Sequence, residues 1–390
     1  MKPNAPAETS PIELLEALVA FDTTSHKSNV ALIRFVADYL GRHGIEAKLV
    51  PNETGDKINL YATIGPAAAG GGIGLSGHTD VVPVTGQDWD SDPFELTARN
   101  GRLYGRGTTD MKGYLACVLA AVPDFAARPL KRPIHILFSY DEEIGCIGVR
   151  PMLARLGSDL PMPEIVFVGE PTGMEVVDAH KGPARWNVTI TGRAAHSSMA
   201  HLGVNAVHVA AQMIGELRRI EDDLRDNHRD ERFEPPYATL QVTTIEGGAA
   251  SNIIPLSCRF GFEVRALPGV DVAAIERRVS DFAHERCLPS MRAVSEAAAI
   301  DIELVNYVPP FAARNGSKAV ALALHLAGAN RISAVSYATE AGLFQTAGPD
   351  TVVCGPGQIA QAHTANEWIA ESELAACMAF LKRLAEWAEK

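Results

Sequence analysis

Apolar residues near the start of the chain recur at helical spacing. Ile12, Leu15 and Val19 form one row, with Leu14, Leu18 and Phe21 beside it. Ser10 and Glu13 frame a capping box ahead of them, and Pro11 takes the first helical position. A second helix is predicted from about Asn29 to Leu40, with Gly41 and Gly44 as its stop. The pattern then changes to short, near-continuous apolar runs: "GIGLS", "IHILFSY", "EIVFVGE" and "TVVCG". A helix-like stretch, "MKGYLACVLAAVPDF", lies among them. Apolar runs without alternation are strands buried on both faces, and strands alternating with helices mean a parallel sheet between helical layers. The prediction is an α/β domain, mostly parallel, with helices on both faces of the sheet.

The middle of the chain has a different period. "WNVTITG" alternates through Trp186, Val188 and Ile190, and "CRFGFEVRA" through Cys258, Phe260, Phe262 and Val264. A helix is expected at about Val204 to Glu221, a strand at "ATLQVTTIEGG", a helix at about Val272 to Glu285 and a strand at "DIELVNY". That order, β-α-β-β-α-β, is ferredoxin-like. An α+β domain is therefore expected as an insert at 181–305, splitting the α/β domain into 1–180 and 306–390. The polar stretch "RDNHRDERFEPPY" is expected to be a long exposed loop.

Composition narrows the partners. The 390 residues suit about two domains. The net charge of −12, with no basic run against it, argues against nucleic acid or an anionic membrane. The opening "MKPNAPAETSPIELLEALVAF" does not read as a leader, because Glu13 and Glu16 interrupt its apolar positions. No run approaches the roughly 20 apolar residues of a membrane helix. The six cysteines are scattered with no C-x-x-C pair, which reads as reduced, packed thiols of a cytoplasmic protein.

The ends of the apolar runs carry the candidate chemistry. "GIGLS" leads into His78 and Asp80, "IHILFSY" into Asp141, Glu142 and Glu143, and "IVFV" into Glu170. "TVVCG" is followed by a segment with His363, and the turn "YGRGTTDMKG" puts Asp110 at the start of a helix. In open α/β sheets ligands bind beyond the carboxyl ends of the strands. Taken singly, each residue could be a capping histidine or a solvated acid. Together they crowd carboxylates into one cleft, where each buried charge costs several kcal/mol unless a cation relieves it. Histidines mixed with carboxylates, without cysteine, suit zinc, cobalt or manganese. The count exceeds the three protein ligands of a single catalytic zinc. Two ions about 3.5–4 Å apart fit if Asp110 bridges them. One acid of the Glu142–Glu143 pair is then spare. Asp80 is expected to accept a hydrogen bond from the ring nitrogen of His78 that faces away from the metal.

Eight segments in order, "SGHTDVVP", "GRGTTDMKG", "YDEEIG", "VGEPT", "GRAAHSS", "SNIIP", "FEVRALPG" and "AQAHTANEW", span nearly the whole chain. In these the chain resembles the dinuclear zinc deacylases and exopeptidases. That family includes aminoacylase, succinyl-diaminopimelate desuccinylase, glutamate carboxypeptidase and acetylornithine deacetylase. "YATEAGLFQ" and "GPGQIAQAHTANEW" are most similar to the acetylornithine deacetylase branch. The resemblance implies a zinc-exopeptidase-like domain with an inserted lid and dimerisation domain, and two divalent ions per chain, zinc or else cobalt. Asp110 would bridge, His78 and Glu170 would complete one ion, and Glu143 and His363 the other. Glu142 would be the general acid/base, and the Asp110–Met111 peptide would be cis. His196, from the neighbouring subunit of a homodimer, would stabilise the oxyanion. Asn252 and Arg265 would hold the substrate carboxylate, a role suited to a guanidinium fork. Glu340 is the candidate partner for a cationic substrate side chain, with helix capping as the alternative. His180 is left unassigned.

The implied reaction is hydrolysis of an N-acyl amino acid, with N-acetylornithine giving ornithine and acetate. A hydroxide bridging the ions would attack the acyl carbonyl, and Glu142 would pass its proton to the leaving amine. The alternatives are a desuccinylase, an aminoacylase, or a dipeptidase or carboxypeptidase on the same metals. A non-catalytic binding protein is more remote, because no ligand or base is missing.

Overall fold

A computed structural model describes residues 9–66 and 71–390. The leader reading falls partly on residues 1–8, which lie outside the described residues. The chain divides into two compact units. The first comprises Met1–Ala179, Ala312–Ser333 and Thr339–Lys390, and the second His180–Phe311 with Ala334–Ala338.

In the first unit the expected capping box is present. Ser10 Oγ accepts the Glu13 N–H at 3.2 Å, and Glu13 Oε2 accepts the Ser10 N–H at 2.8 Å, opening the helix Pro11–Val19. The second helix, Val30–Arg42, runs through Gly41, and the chain turns at Gly44, where φ is +75°.

Four parallel strands form the centre of the main sheet, in the order Ile134–Ser139, Ile73–His78, Ile165–Val168, Asp350–Val353. Ile58–Ile64 and then Ala47–Pro51 extend it antiparallel on one side. The first three central strands are buried at every position, which is why their sequences do not alternate. Their side chains share a core with the helices Gly113–Ala127, Lys318–Ala327 and Glu371–Ala388. Phe167 of the sheet meets Phe380 of the last helix edge to face at 5.4 Å. Because the four strands are parallel, the residues that follow His78, Ser139, Val168 and Val353 emerge along one edge.

The second unit is a four-stranded antiparallel sheet, in the order Thr239–Gly247, Ser257–Ala266, Gly182–Thr191, Ala299–Tyr307. Its helices are Ala206–Asn227 and Val272–Phe282, so the order along the chain is β-α-β-β-α-β. Trp186 stacks on Phe262 with ring centroids 4.9 Å apart, which fills the side of the sheet predicted apolar.

One local expectation is corrected. The helix Ala206–Asn227 continues past Glu221 because Leu224 is also buried, and it absorbs the start of the polar stretch. The remainder is exposed, as expected, but is tethered at two points. Phe233 is buried, and Lys181 donates to the carbonyls of Pro235 and Tyr237 at 2.7 and 2.8 Å. Among the described residues, all six cysteines are free and buried, and no helix is long and apolar enough to cross a membrane.

Candidate active site

The strand-end residues meet around Asp110. Its Oδ1 lies 3.0 Å from His78 Nε2, and its Oδ2 lies 3.2 Å from His363 Nε2. Glu170 Oε1 is 3.8 Å from the same His78 nitrogen, and Glu143 Oε2 is 3.0 Å from the same His363 nitrogen. Ligand atoms of His78, Asp110 and Glu170 therefore form one group, and those of Asp110, Glu143 and His363 a second. Asp110 is common to both, one oxygen facing each histidine. The first group is buried throughout. The second opens towards solvent at His363, whose side chain is 51% exposed.

The backbone around Asp110 is specialised. The Asp110–Met111 peptide is cis, as the resemblance implied. Asp110 sits in extended backbone (φ −128°, ψ 90°) within the turn Thr108–Lys112, and the regular helix begins only at Gly113. Asp110 thus precedes the helix, which corrects the expectation that it starts one. Gly357 packs against this turn so closely that a Cβ there would lie 2.3 Å from Thr109 Oγ1.

Asp80 departs from its expected contact. His78 Nδ1 is bonded to the backbone carbonyl of Asp80 at 2.9 Å, while the Asp80 carboxylate stands 3.6 Å away. With Nδ1–H pointed at a carbonyl, Nε2 is the nitrogen that would give up its proton and offer a lone pair to a metal, as expected. The carboxylate does other work. It accepts the backbone N–H groups of Glu142 and Glu143 at 3.1 and 3.3 Å, and the Ser25 hydroxyl at 2.8 Å. Beside it, Lys57 pairs with Asp141.

The electrostatics show what the group can hold. Burial opposes a charge on His78. The hydrogen bond to Asp110 and the charges of Glu170, Asp110 and Asp80 outweigh it, lifting the ring well above the ordinary imidazole range. His363 is raised to about 10 by its bonds to Asp110 and Glu143. Burial lifts Glu142 to about 8 and Glu143 to about 7, and it lifts Glu170 well above the ordinary carboxylate range. Glu170 Oε1 is buried without a hydrogen-bond partner. Buried carboxylates converging on imidazole nitrogens, one of them with an unpaired oxygen, are a cation-binding arrangement, and the mixed N and O donors fit zinc, cobalt or manganese.

The remaining predicted residues are placed as follows. Glu142 accepts a contact from the Cys146 thiol, Sγ to Oε1 at 3.2 Å. Glu340 is buried at the start of the helix Ala341–Ala347 and makes no side-chain cap, so the capping alternative is not realised. Its Oε2 is 3.5 Å from the Ser76 hydroxyl, its Oε1 has no hydrogen-bond partner, and burial raises it to about 7. In the second unit, His196 and Asn252 lie on paired segments, with the Ser197 N–H bonded to the Asn252 carbonyl at 2.9 Å. His196 is exposed, its Nδ1 2.8 Å from Ser198 Oγ. Arg265 is bonded to Glu263 at 2.8 Å. His180 is buried, its Nδ1 2.8 Å from the Lys181 carbonyl and its ring against Phe311.

A family model for peptidase family M20/M25/M40 matches residues 74–387. The chain belongs to this family. An M20 relative, the acetylornithine deacetylase of Proteus mirabilis (strain HI4320), is 35% identical over 365 residues, 92% of this chain and 91% of that one. The aminopeptidase PepT of Bacillus cereus ATCC 10987 shares the fold at 20% identity and a TM-score of 0.75, over 98% of this chain and 99% of that one. The M20 metallo-carboxypeptidase Sso-CP2 of Sulfolobus solfataricus does so at 18% identity, with the same TM-score and coverage. This chain is thus an M20 metallohydrolase acting on amide bonds.

Sequence reasoning missed three buried charged residues near the ligand groups. Glu367 and Arg106, each 1% exposed, form a buried ion pair at 2.7 Å. The signals were present: an arginine between glycines in "YGRGTT", and a lone acid after His363 in "AHTANEW". Lys112, buried beside Asp110 and bonded to the Phe21 carbonyl at 2.7 Å, was also missed.

Proposed function

We propose that this M20 chain hydrolyses the amide of an N-acyl α-amino acid, with N-acetylornithine as substrate and ornithine and acetate as products, a step of arginine biosynthesis. The observation that carries the chemistry is Asp110, one oxygen directed at each of two ligand groups. The substrate reading is supported by the identity to an acetylornithine deacetylase along nearly the whole of both chains.

His78, Asp110 and Glu170 would hold one divalent ion, and Asp110, Glu143 and His363 the other. Zinc is the proposed metal, with cobalt able to replace it. A pair of ions held there would supply a water of pKa about 7 and polarisation of the acyl oxygen. Glu142 is the base that takes the water's proton and the acid that delivers it to the leaving nitrogen. Its carboxyl is raised to about 8 by burial, against the pull of the His78 charge, and nearby cations would favour its ionised form. A positioned group of this kind contributes about 10²–10⁴-fold. By resemblance, His196 serves the oxyanion from the neighbouring subunit of a homodimer, and Asn252 and Arg265 hold the substrate carboxylate. Arg265 would exchange Glu263 for that carboxylate. The unpartnered, buried oxygen of Glu340 is the proposed partner for the side-chain ammonium of ornithine. The proposed setting is the cytoplasm.

The test is a panel of N-acetylornithine, N-acetylmethionine, N-succinyl-diaminopimelate and short dipeptides, with zinc- or cobalt-reconstituted protein. The highest kcat/KM is expected for N-acetylornithine. A higher value for a dipeptide or for the succinyl compound would overturn the substrate while leaving the hydrolase.

A further inference from the structure

The second ligand group has a weakness that the first does not share. His363 lies on an exposed loop after the last central strand, at φ +62°, and has no strand to fix it. Its partner Asp110 lies in a turn outside regular helix. Something must set the distance between two loops.

A chain of hydrogen bonds joins them. Glu367, four residues beyond His363, places its carboxylate inside the Asp110 turn. Its Oε2 accepts the Gly107 N–H at 2.9 Å, and its Oε1 accepts those of Thr109 and Asp110 at 2.9 and 3.1 Å. Arg106 neutralises this buried carboxylate at 2.7 Å, and the same guanidinium nitrogen reaches the Thr364 carbonyl at 3.3 Å. Its other terminal nitrogen donates to Gln87 Oε1. The Gln87 amide then donates to the backbone carbonyl of His363 itself at 2.9 Å. The path therefore runs from the Asp110 backbone through Glu367, Arg106 and Gln87 to the His363 backbone. None of the three side chains is among the ligand groups.

We propose that Glu367, Arg106 and Gln87 form a clamp that positions His363 against Asp110, and that its Gln87 arm, which holds His363 alone, sets the affinity of the second metal position (Asp110, Glu143, His363) without setting that of the first (His78, Asp110, Glu170). These are positioning residues, and the inference rests on the two-ion reading above. The first position does not need the Gln87 arm. Two of its ligands extend from neighbouring parallel strands, Ile73–His78 and Ile165–Val168.

Gln87 is the residue to change, because it is only partly buried and its loss leaves the Arg106–Glu367 pair intact. Gln87→Ala frees the His363 carbonyl. Gln87→Glu keeps an acceptor for Arg106 but loses the donor to His363. Metal-free wild type and both variants would be titrated with cobalt(II), followed by calorimetry and visible absorption, with thermal melting of the metal-free proteins alongside. The wild type should take up two ions. Both variants should bind the first ion as the wild type does and the second about tenfold more weakly. Their metal-free melting should be unchanged. If both ions weaken together, or neither does, the clamp is overturned. If Gln87→Glu binds the second ion like wild type while Gln87→Ala does not, the path through the His363 carbonyl is overturned. A wild type that takes up a single ion overturns the two-ion reading first, and the clamp with it.

Discussion

The Asp80 carboxylate accepts the backbone N–H of Glu142 at 3.1 Å, joining the ends of two neighbouring parallel strands. It accepts the next N–H, of Glu143, at 3.3 Å, while its own backbone carbonyl receives the ring of His78 at 2.9 Å. One residue thus fixes a metal ligand through its main chain and both acids of the "DEE" turn through its side chain. Asp80→Asn would put an amide group against a backbone donor and remove the charge. We expect kcat to fall about 10- to 100-fold, with both ions retained through the unchanged carbonyl. Steady-state kinetics with metal analysis on the same preparation would check this. A variant with wild-type kcat would show that the carboxylate positions nothing.

Glu142 and Glu143 are adjacent, but only Glu143 is in contact with His363, at 3.0 Å. Glu142 instead faces Cys146 at 3.2 Å. Glu142→Gln should lower kcat by about 10²–10⁴-fold and keep two ions. Glu143→Gln should lose the second ion as well as turnover. Elemental analysis after passage through a weak chelator separates the two. The opposite pattern would exchange their roles.

Much of this was legible in the sequence because burial on both faces erases alternation. The runs ending at His78, Ser139, Val168 and Val353 announced a parallel sheet, and a parallel sheet collects strand-end residues on one edge. The ligands were legible because several carboxylates and two histidines crowded onto that edge repel one another unless a cation sits among them. The contacts of Asp80 were not. Sequence places its carboxylate near His78 but cannot show that the backbone carbonyl takes the ring nitrogen first. Glu367 and Arg106 escaped for a related reason. A buried ion pair is made by two distant positions, and either residue alone reads as surface charge. The tethered loop at Phe233 was hidden by its charged neighbours, since one aromatic among acids and arginines gives no period.

Metal binding should release protons. The carboxylates raise His78 well above its ordinary range and His363 to about 10, so both rings carry a proton in the metal-free protein at neutral pH. An ion needs the lone pair that the proton occupies. Raised pKa values mean that protons compete harder, so apparent affinity should rise as pH rises from about 6 to about 8. Calorimetric zinc titrations in two buffers of different ionisation enthalpy should show at least one proton released per ion, with the raised carboxyls of Glu143 and Glu170 adding to the histidine protons. Heats independent of the buffer would contradict the charge state assigned to the rings.

Cys146 makes a contact specific enough to test. It is buried, and its Sγ lies 3.2 Å from Glu142 Oε1. Burial pushes the thiol well above its ordinary range, with the Glu142 charge adding to it, so the sulfur keeps its proton and donates it to the carboxylate. The backbone is also unusual: φ is +54°, and the Cys146 N–H closes the turn onto the Glu142 carbonyl at 2.8 Å. Two roles are therefore superimposed, holding the turn and orienting the carboxylate, and three substitutions separate them. Cys146→Ser keeps a donor in the same backbone. Cys146→Ala removes the donor and keeps the strained backbone. Cys146→Gly removes the donor and suits the left-handed conformation. If the thiol orients Glu142, Ser should retain most of kcat. Ala and Gly should both lose about fivefold, the equivalent of a hydrogen bond worth about 1 kcal/mol, with KM unchanged. Thermal stability should follow the other order, with Gly above Ala. If kcat tracks stability instead, or if Ala equals wild type, the thiol is a packing group, and the carboxylate is oriented by the Asp80 contacts alone.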